Sequence, residues 1–173
     1  YERDLENAGL DAGNPEDIFS DEGQDIRVRS KEKTAKRQSL WVDGRLGIII
    51  DGTGKDVGKI SRQKQLLDQI GYDCYMIFVN TSLEIAQERN MKRKRKLQPK
   101  AVEAMWNAVQ RNIGGFQRVF GTKNFIIVDN NEDISDGDLF AECTKRIRGL
   151  VKGKVTKPQA KRWIANELSK KRR

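Results

Sequence analysis

The chain contains no histidine. That absence removes imidazole as general acid, general base or metal ligand, and with it every Ser-His-Asp arrangement. Its two cysteines, Cys74 and Cys143, stand far apart in the sequence. They can supply neither a zinc ligand set nor a disulfide framework, so a reducing, cytoplasmic setting is expected. No run approaches the roughly 18 apolar residues of a membrane span, and no signal-peptide pattern is present, so no membrane partner is expected. No internal repeat is visible. A Walker A loop, G-x-x-x-x-G-K-[ST], is also lacking. The nearest stretch, GTGKDVGK at 52–59, puts three residues between Gly54 and Gly58, sets Gly52 one residue too far back and follows Lys59 with Ile60.

What remains is 173 residues, 36% apolar and 34% charged, enough for one ordinary domain. The net charge of +9 is unevenly spread. Residues 1–30 hold nine acids and three bases, whereas residues 143–173 hold twelve bases and one acid, Glu167. The basic excess therefore belongs to the C-terminal end.

Apolar spacing sets the organisation. Residues 1–14 read as a short helix ended by a glycine, 15–25 as a loop or short helix, and 26–43 as a helix stopped by Gly44. Three continuous apolar runs follow, LGIIID at 46–51, YMIFV at 75–79 and FIIV at 125–128. Continuous rather than alternating apolarity predicts strands covered on both faces, as in a parallel sheet. Helices are predicted from 56 to 70, from the Ser82 cap into a basic stretch at 89–96, from Pro99 to Gly121 with a kink at Gly114 and Gly115, and over 140–151. A last basic helix begins at Pro158. Residues 130–136 read as a turn. Such alternation predicts an α/β domain over 1–150, a three-layer parallel sheet flanked by helices, followed by a basic helix and tail over 151–173.

Ligands of open α/β sheets gather at the carboxyl ends of strands. The first such end, DGTGKD at 51–56, offers an acid, two glycines, a hydroxyl and a lysine. It also reads as an ordinary strand-to-helix turn with Asp56 as helix cap. The run RNMKRKR at 89–95 places Arg89 and Arg93 four residues apart, a spacing that can share a helix face and stabilise a transferring phosphoryl group. A solvated basic helix end explains it equally. Met105, Trp106, Phe116 and Phe120 read as core. The tail, with Trp163 among its bases, suits nucleic-acid phosphates through 145–173, or is a solvated amphipathic helix.

The stretches LGIIIDGTGKD, GYDCYMIFVNTSLEIAQERN, the arginine-rich turn, WNAVQRNIGGFQRVFG and NFIIVDNN, in that order, resemble a family of P-loop kinase-like proteins. That family is related to zeta toxins and to the kinase portion of polynucleotide kinases, and is frequent in bacteriophage genomes. The resemblance covers roughly residues 1–131. It implies an ATP- and Mg²⁺-dependent kinase acting on a hydroxyl of a nucleotide, a nucleic-acid end or a nucleotide-sugar. Asp51 then serves the metal or the acceptor, Thr53 and Lys55 line the substrate pocket, and Arg89 and Arg93 contact ATP phosphates, with Arg95 beside them. Asn130 and Asn131 lie on the loop bordering the adenine. The family often carries arginine at the position of Lys55. Its first strand, its Walker A loop and an acid preceding YERDLENAGL have no counterpart here. A chain lacking them is expected to be inactive alone, or else to be a nucleic-acid-binding protein on a kinase-like scaffold. The truncation reading expects the coding sequence upstream of Tyr1 to encode an apolar strand followed by G-x-x-x-x-G-K-[ST]. Sequencing about 40 codons further, the length such a strand and loop with their connection would occupy, checks this; translation starting at Tyr1 would sink it.

Overall fold

The computed structural model describes residues 1–94, 96–131 and 137–172. It is an α/β structure, mostly helical, with a small parallel sheet. The chain divides into two compact units, Tyr1–Gly52 with Glu88–Pro99, and Thr53–Gln87 with Lys100–Arg173.

In the first unit, α1 (Glu2–Asn7), α2 (Pro15–Phe19) and α3 (Asp21–Asp43) enclose a small core of Leu5, Ile18 and Ile26, with Leu10 and Ala12 against it. The Asn14 side chain accepts from Glu16 N at the head of α2, and Pro15 occupies the first turn, where its missing N–H costs nothing. Helix α3 begins five residues earlier than the apolar spacing predicts. Ser20 Oγ accepts from Gly23 N at 3.1 Å, and Asp21 and Glu22 favour the positive end of the helix dipole. Capping chemistry, not apolar periodicity, sets that boundary. Gly44 closes the helix as expected.

Residues 46–51 correct the strand expectation. They form no regular element, and Ile49 is 98% exposed. The apolar run has the composition of a buried strand, but a strand exists only through a ladder partner, and none pairs with it among the described residues.

The second unit holds α4 (Val57–Gln69), β1 (Met76–Asn80), α6 (Pro99–Gln110), α7 (Ile113–Phe120), β2 (Phe125–Asp129), α8 (Gly137–Val151) and α9 (Pro158–Lys171); α5 (Leu83–Lys92) follows β1. The predicted kink at Gly114 and Gly115 is instead a break before them, at 111–112, which separates α6 from α7. The turn expected at 130–136 lies outside the described residues beyond Asn131.

Strands β1 and β2 pair in parallel, with Met76 opposite Phe125 and Asn80 opposite Asp129. Phe78, Phe116 and Phe125 form the core. The Phe78 ring lies 6.3 Å from that of Phe116 and 6.1 Å from that of Phe125, both tilted, within the favourable range for aromatic pairs. Val57, Ile60, Val109, Ile113 and Phe120 close around them, so α4 and α7 cover one face of the sheet. On the opposite face Ile77 and Val79 are exposed.

The C-terminal helix is tied down rather than loose. Lys157 Nζ, just before α9, reaches Asp68 Oδ1 at 2.7 Å and Asp73 Oδ1 at 3.7 Å, and donates to the Tyr72 carbonyl. Lys64 Nζ meets the other Asp68 oxygen at 2.5 Å. Gly71, at φ +103°, brings its backbone so close to Ala160 that a Cβ there would lie 2.7 Å from the Ala160 amide nitrogen. Only glycine serves both the turn and this approach.

Burial raises the Asp68 pKa, but hydrogen bonds from Lys157 and Lys64 outweigh it and hold the carboxyl below its ordinary value of 3.8. Lys157 mirrors this: burial lowers its pKa, and Asp68 more than restores it above 10.5. A depressed carboxyl stabilises above its unfolded pKa and loses that contribution as pH falls through the folded value. A raised amine stabilises below its unfolded pKa and loses that contribution as pH rises through its folded value. Asp68→Asn is therefore expected to cost about 1 kcal/mol in urea unfolding at neutral pH. The difference from wild type should be flat across the neutral range and shrink only below pH 3.8 or above pH 10.5. A cost that instead titrated between those limits would mean that the pair does not hold α9.

Candidate functional site

The parallel register sets Asn80 and Asp129 side by side at the carboxyl edge of the sheet. Residues leaving that edge are knitted together by side-chain amides. Asn130 N donates to the Asn80 carbonyl at 2.8 Å, continuing the ladder by one bond. Asn131 Oδ1 accepts from Ser82 N at 2.6 Å and from Thr81 Oγ1 at 3.3 Å. The Asn131 amide nitrogens, main chain and side chain, both donate to Asp129 Oδ1, at 3.1 and 2.5 Å. Helix α6 contributes from the side, with Gln110 Nε2 on Asn80 Oδ1 at 2.7 Å and the Trp106 ring nitrogen on the Thr81 carbonyl at 2.8 Å. Ser82 Oγ accepts from Ile85 N at 3.3 Å, so the predicted cap of α5 is formed. Glu84 in its first turn is held below the ordinary carboxylate range by its own backbone N–H and by Ser82.

The DGTGKD segment is shaped by packing. Gly54, at φ +68°, lies buried where an added Cβ would sit 3.6 Å from Phe116 Cε2 and 3.7 Å from Val109 Cγ1. Asn112, at the break between α6 and α7, donates from Nδ2 to the Gly54 and Lys55 carbonyls, each at 2.9 Å. Asp56 caps α4, accepting from Lys59 N at 2.8 Å. The strand-to-helix turn foreseen as the alternative reading thus accounts for Gly54 and Asp56. The side chains of Thr53 and Lys55 remain exposed above it.

The predicted site residues fall into two groups. Thr53, Lys55, Asn130 and Asn131 belong to the second unit, where Asn131 joins the carboxyl-edge network and Lys55 is anchored through its carbonyl. Asp51, Arg89 and Arg93 belong to the first. Asp51 is exposed in the irregular stretch after α3. Arg89 is half-buried on α5, while Arg93 is exposed one residue beyond the end of that helix, so the two do not share a helix face. Arg95 lies outside the described residues. What organises this basic turn is Asn90, only 5% exposed. Its side chain donates to the Leu97 carbonyl at 2.8 Å and accepts from Leu97 N at 2.9 Å, closing the neck of a loop that displays Lys92, Arg93, Lys94 and Lys96.

Asn90, Asn112, Trp106 and Gln110 are the positions that sequence reasoning missed as organisers. The available signal was an asparagine in the last turn of α5 and another just after α6, where a side-chain amide can replace a lost backbone partner.

The network is built from neutral amides, hydroxyls and one carboxylate, Asp129. It can orient a polar ligand by hydrogen bonds, and Asp129, which accepts from both Asn131 amide nitrogens, is its one ionisable group among the described residues. Among the described residues one cleft of about 270 Å³ lies between α1 and α3, lined by Asp4, Arg29 and Lys33, and another of about 430 Å³ is lined by Asp68, Cys74 and Lys157. Neither includes a residue predicted for the kinase site. In the second, burial and the nearby Asp68 carboxylate push the Cys74 thiol up to about 11, which keeps it protonated and unreactive at neutral pH.

Mg²⁺ commonly takes one or two carboxylates, waters and substrate phosphates. Among the described residues no three acidic or cysteine side chains converge on a metal site, and Asp51 is a single exposed donor. For ATP phosphates, the glycine segment at 52–58 lacks the Walker A spacing, and its Gly54 is committed to packing against Phe116. The residues present do not fit a complete ATP and Mg²⁺ site. No helix is long and apolar enough to cross a membrane among the described residues. No protein-family model, curated protein or solved structure matches the chain.

Because Asn90 is buried and closes the basic loop through two bonds, Asn90→Ala should cost about 1–3 kcal/mol. It should also speed tryptic cleavage at Lys92–Lys96 under native conditions. Unchanged proteolysis would show that the loop keeps its shape without the clamp.

Proposed function

We propose that these residues form part of an ATP- and Mg²⁺-dependent phosphotransferase acting on a hydroxyl of a nucleotide, a nucleic-acid end or a nucleotide-sugar. In this reading β1 and β2 belong to a three-layer parallel sheet of the P-loop kinase type in a cytoplasmic protein. The observation that carries it is the parallel pair itself. A crossover through α5, α6 and α7 brings Asn80-Thr81 and Asp129-Asn130-Asn131 to one carboxyl edge, the edge at which α/β sheets of this kind bind ligands. The order of the kinase-like segments along the chain supports the same reading.

The roles follow from chemistry. Arg89 and Arg93 neutralise negative charge that develops on a transferring phosphoryl group, and guanidinium groups suit that geometry better than lysine. Asn90 positions Arg93 by closing the loop that carries it. Asp51 orients the acceptor hydroxyl, and Thr53 and Lys55 hold the acceptor. Asn130 and Asn131 fix the loop that would border a base. ATP would supply the phosphoryl group when bound. The Walker A pattern, whose backbone N–H groups grip β- and γ-phosphates, does not occur in these 173 residues.

The test uses the protein translated from the complete coding sequence with labelled ATP and candidate acceptors. Arg89→Ala and Arg93→Ala should each lower kcat by about 10²-fold or more while leaving the unfolding midpoint within about 2 °C. The 173-residue chain alone should transfer no label. Turnover unchanged in both variants would remove the arginines from the mechanism, and turnover by the isolated chain would overturn the need for an outside phosphate cradle.

A further inference from the structure

The sequence left the C-terminal charge as either a binding surface or a solvated helix. The structure adds where the charge sits. Helix α8 carries Lys145 and Arg148, and Lys152 follows one residue past its end with its N–H still donating to the Arg148 carbonyl at 3.0 Å; at positions i, i+3 and i+7 the three fall within about 60° of one another around the axis. All three are exposed, and no ion pair forms to any of them among the described residues. Gly149, on the same stripe, has nothing within 4 Å of where a Cβ would stand, so the ridge is open to a close approach. The segment after α8 is held against the α4–β1 side by the Lys157–Asp68 pair and the Gly71–Ala160 contact. The chain that follows the three bases is therefore anchored to the fold rather than loose.

We propose that the Lys145–Arg148–Lys152 ridge of α8 is a contact surface for a nucleic-acid sugar-phosphate backbone. Three bases span about 10 Å of helix, comparable with about three phosphates along one strand. With no carboxylate partner among the described residues, they hold counterions that a phosphate chain would displace, which makes association salt-sensitive and sequence-tolerant. The basic excess is matched by an acidic N-terminal segment in the other unit, so the ridge is a local feature and not a uniform positive coat. This surface does not depend on the phosphotransferase reading. It would serve a polynucleotide acceptor if that reading holds and a binding protein if it does not.

The experiment is fluorescence anisotropy of the full chain with labelled single-stranded DNA and RNA of about 20 nucleotides, across a salt series. The triple variant K145A/R148A/K152A should weaken binding at least tenfold and reduce the log–log salt slope by about 2, the value for three lost phosphate contacts on a single strand. A charge-matched triple on α3, K31A/K36A/R37A, removes the same net charge and should leave binding within about twofold if only local charge matters. Gly149→Glu provides a variant whose fold is not at risk. It replaces glycine with a good helix former and should raise stability while weakening binding several-fold. Equal losses from both triples, or no loss from Gly149→Glu, would overturn the proposal. So would phosphatidylserine vesicles binding the chain through the ridge while nucleic acid does not.

Discussion

The parallel pairing of β1 and β2 is the constraint on which the second unit depends. Parallel strands cannot be joined by a short turn, so the chain between Asn80 and Phe125 must cross over the sheet and return. That crossover, α5 to α7, carries Phe116 onto Phe78 and Phe125 and brings Val109 and Ile113 with it. One pairing thus produces the core, the approach of Asn112 to the 53–56 loop and the placing of Gln110 and Trp106 at the carboxyl edge. Shifting β2 by one residue would expose Phe125 and separate Asn131 from Ser82 together, because side-chain direction alternates along a strand.

Three asparagines recur as clamps where regular backbone pairing stops. Asn90 closes the basic loop, Asn112 holds the turn into α4, and Asn131 joins the two strand exits. An amide offers both donor and acceptor without charge, so the Asn90 and Asn112 joints contain no ionisable group, and their geometry can persist while surrounding charges change. The charged groups are used differently. Asp68 with Lys64 and Lys157 binds one element to another, while most of the basic excess faces solvent. Structural polar contacts and displayed charge are largely separate sets of residues.

Much of the helical layout was legible in the sequence because its signals are local. Gly44, Gly71 and Gly121 stop helices where expected, and Ser82, Pro99 and Pro158 start them. YMIFV and FIIV became strands within one residue of their predicted bounds. LGIIID did not, because apolar composition reports a demand for burial, whereas a ladder needs a second chain segment in register. The site was less legible for the same reason. Asp56 as a cap could be read from one turn of sequence, but Asn112 reaches back to residues 54 and 55 across three helices and a strand. Arg93 does not share the face of Arg89 because α5 ends at Lys92, where the Arg93 N–H turns to the Asn90 carbonyl at 3.3 Å and the Asn90 side chain bonds Leu97.

The exposed apolar surface bears on the choice between readings. Ile49 and Ile50 stand in water after α3, and Ile77 and Val79 do so on the outer face of β1. Parallel sheets are ordinarily covered on both faces, and uncovered apolar surface forgoes about 25 cal/mol for each Å². A basic ridge binding phosphates would leave these residues without a role, since it recruits charge and not apolar area. A larger parallel sheet of the kinase type would give 46–51 a ladder and the outer face of β1 a covering layer. The two kinds of surface therefore answer different demands. The exposed apolar run and outer strand face are a matter of unburied area, and the bases at the end of α8 a matter of displayed charge.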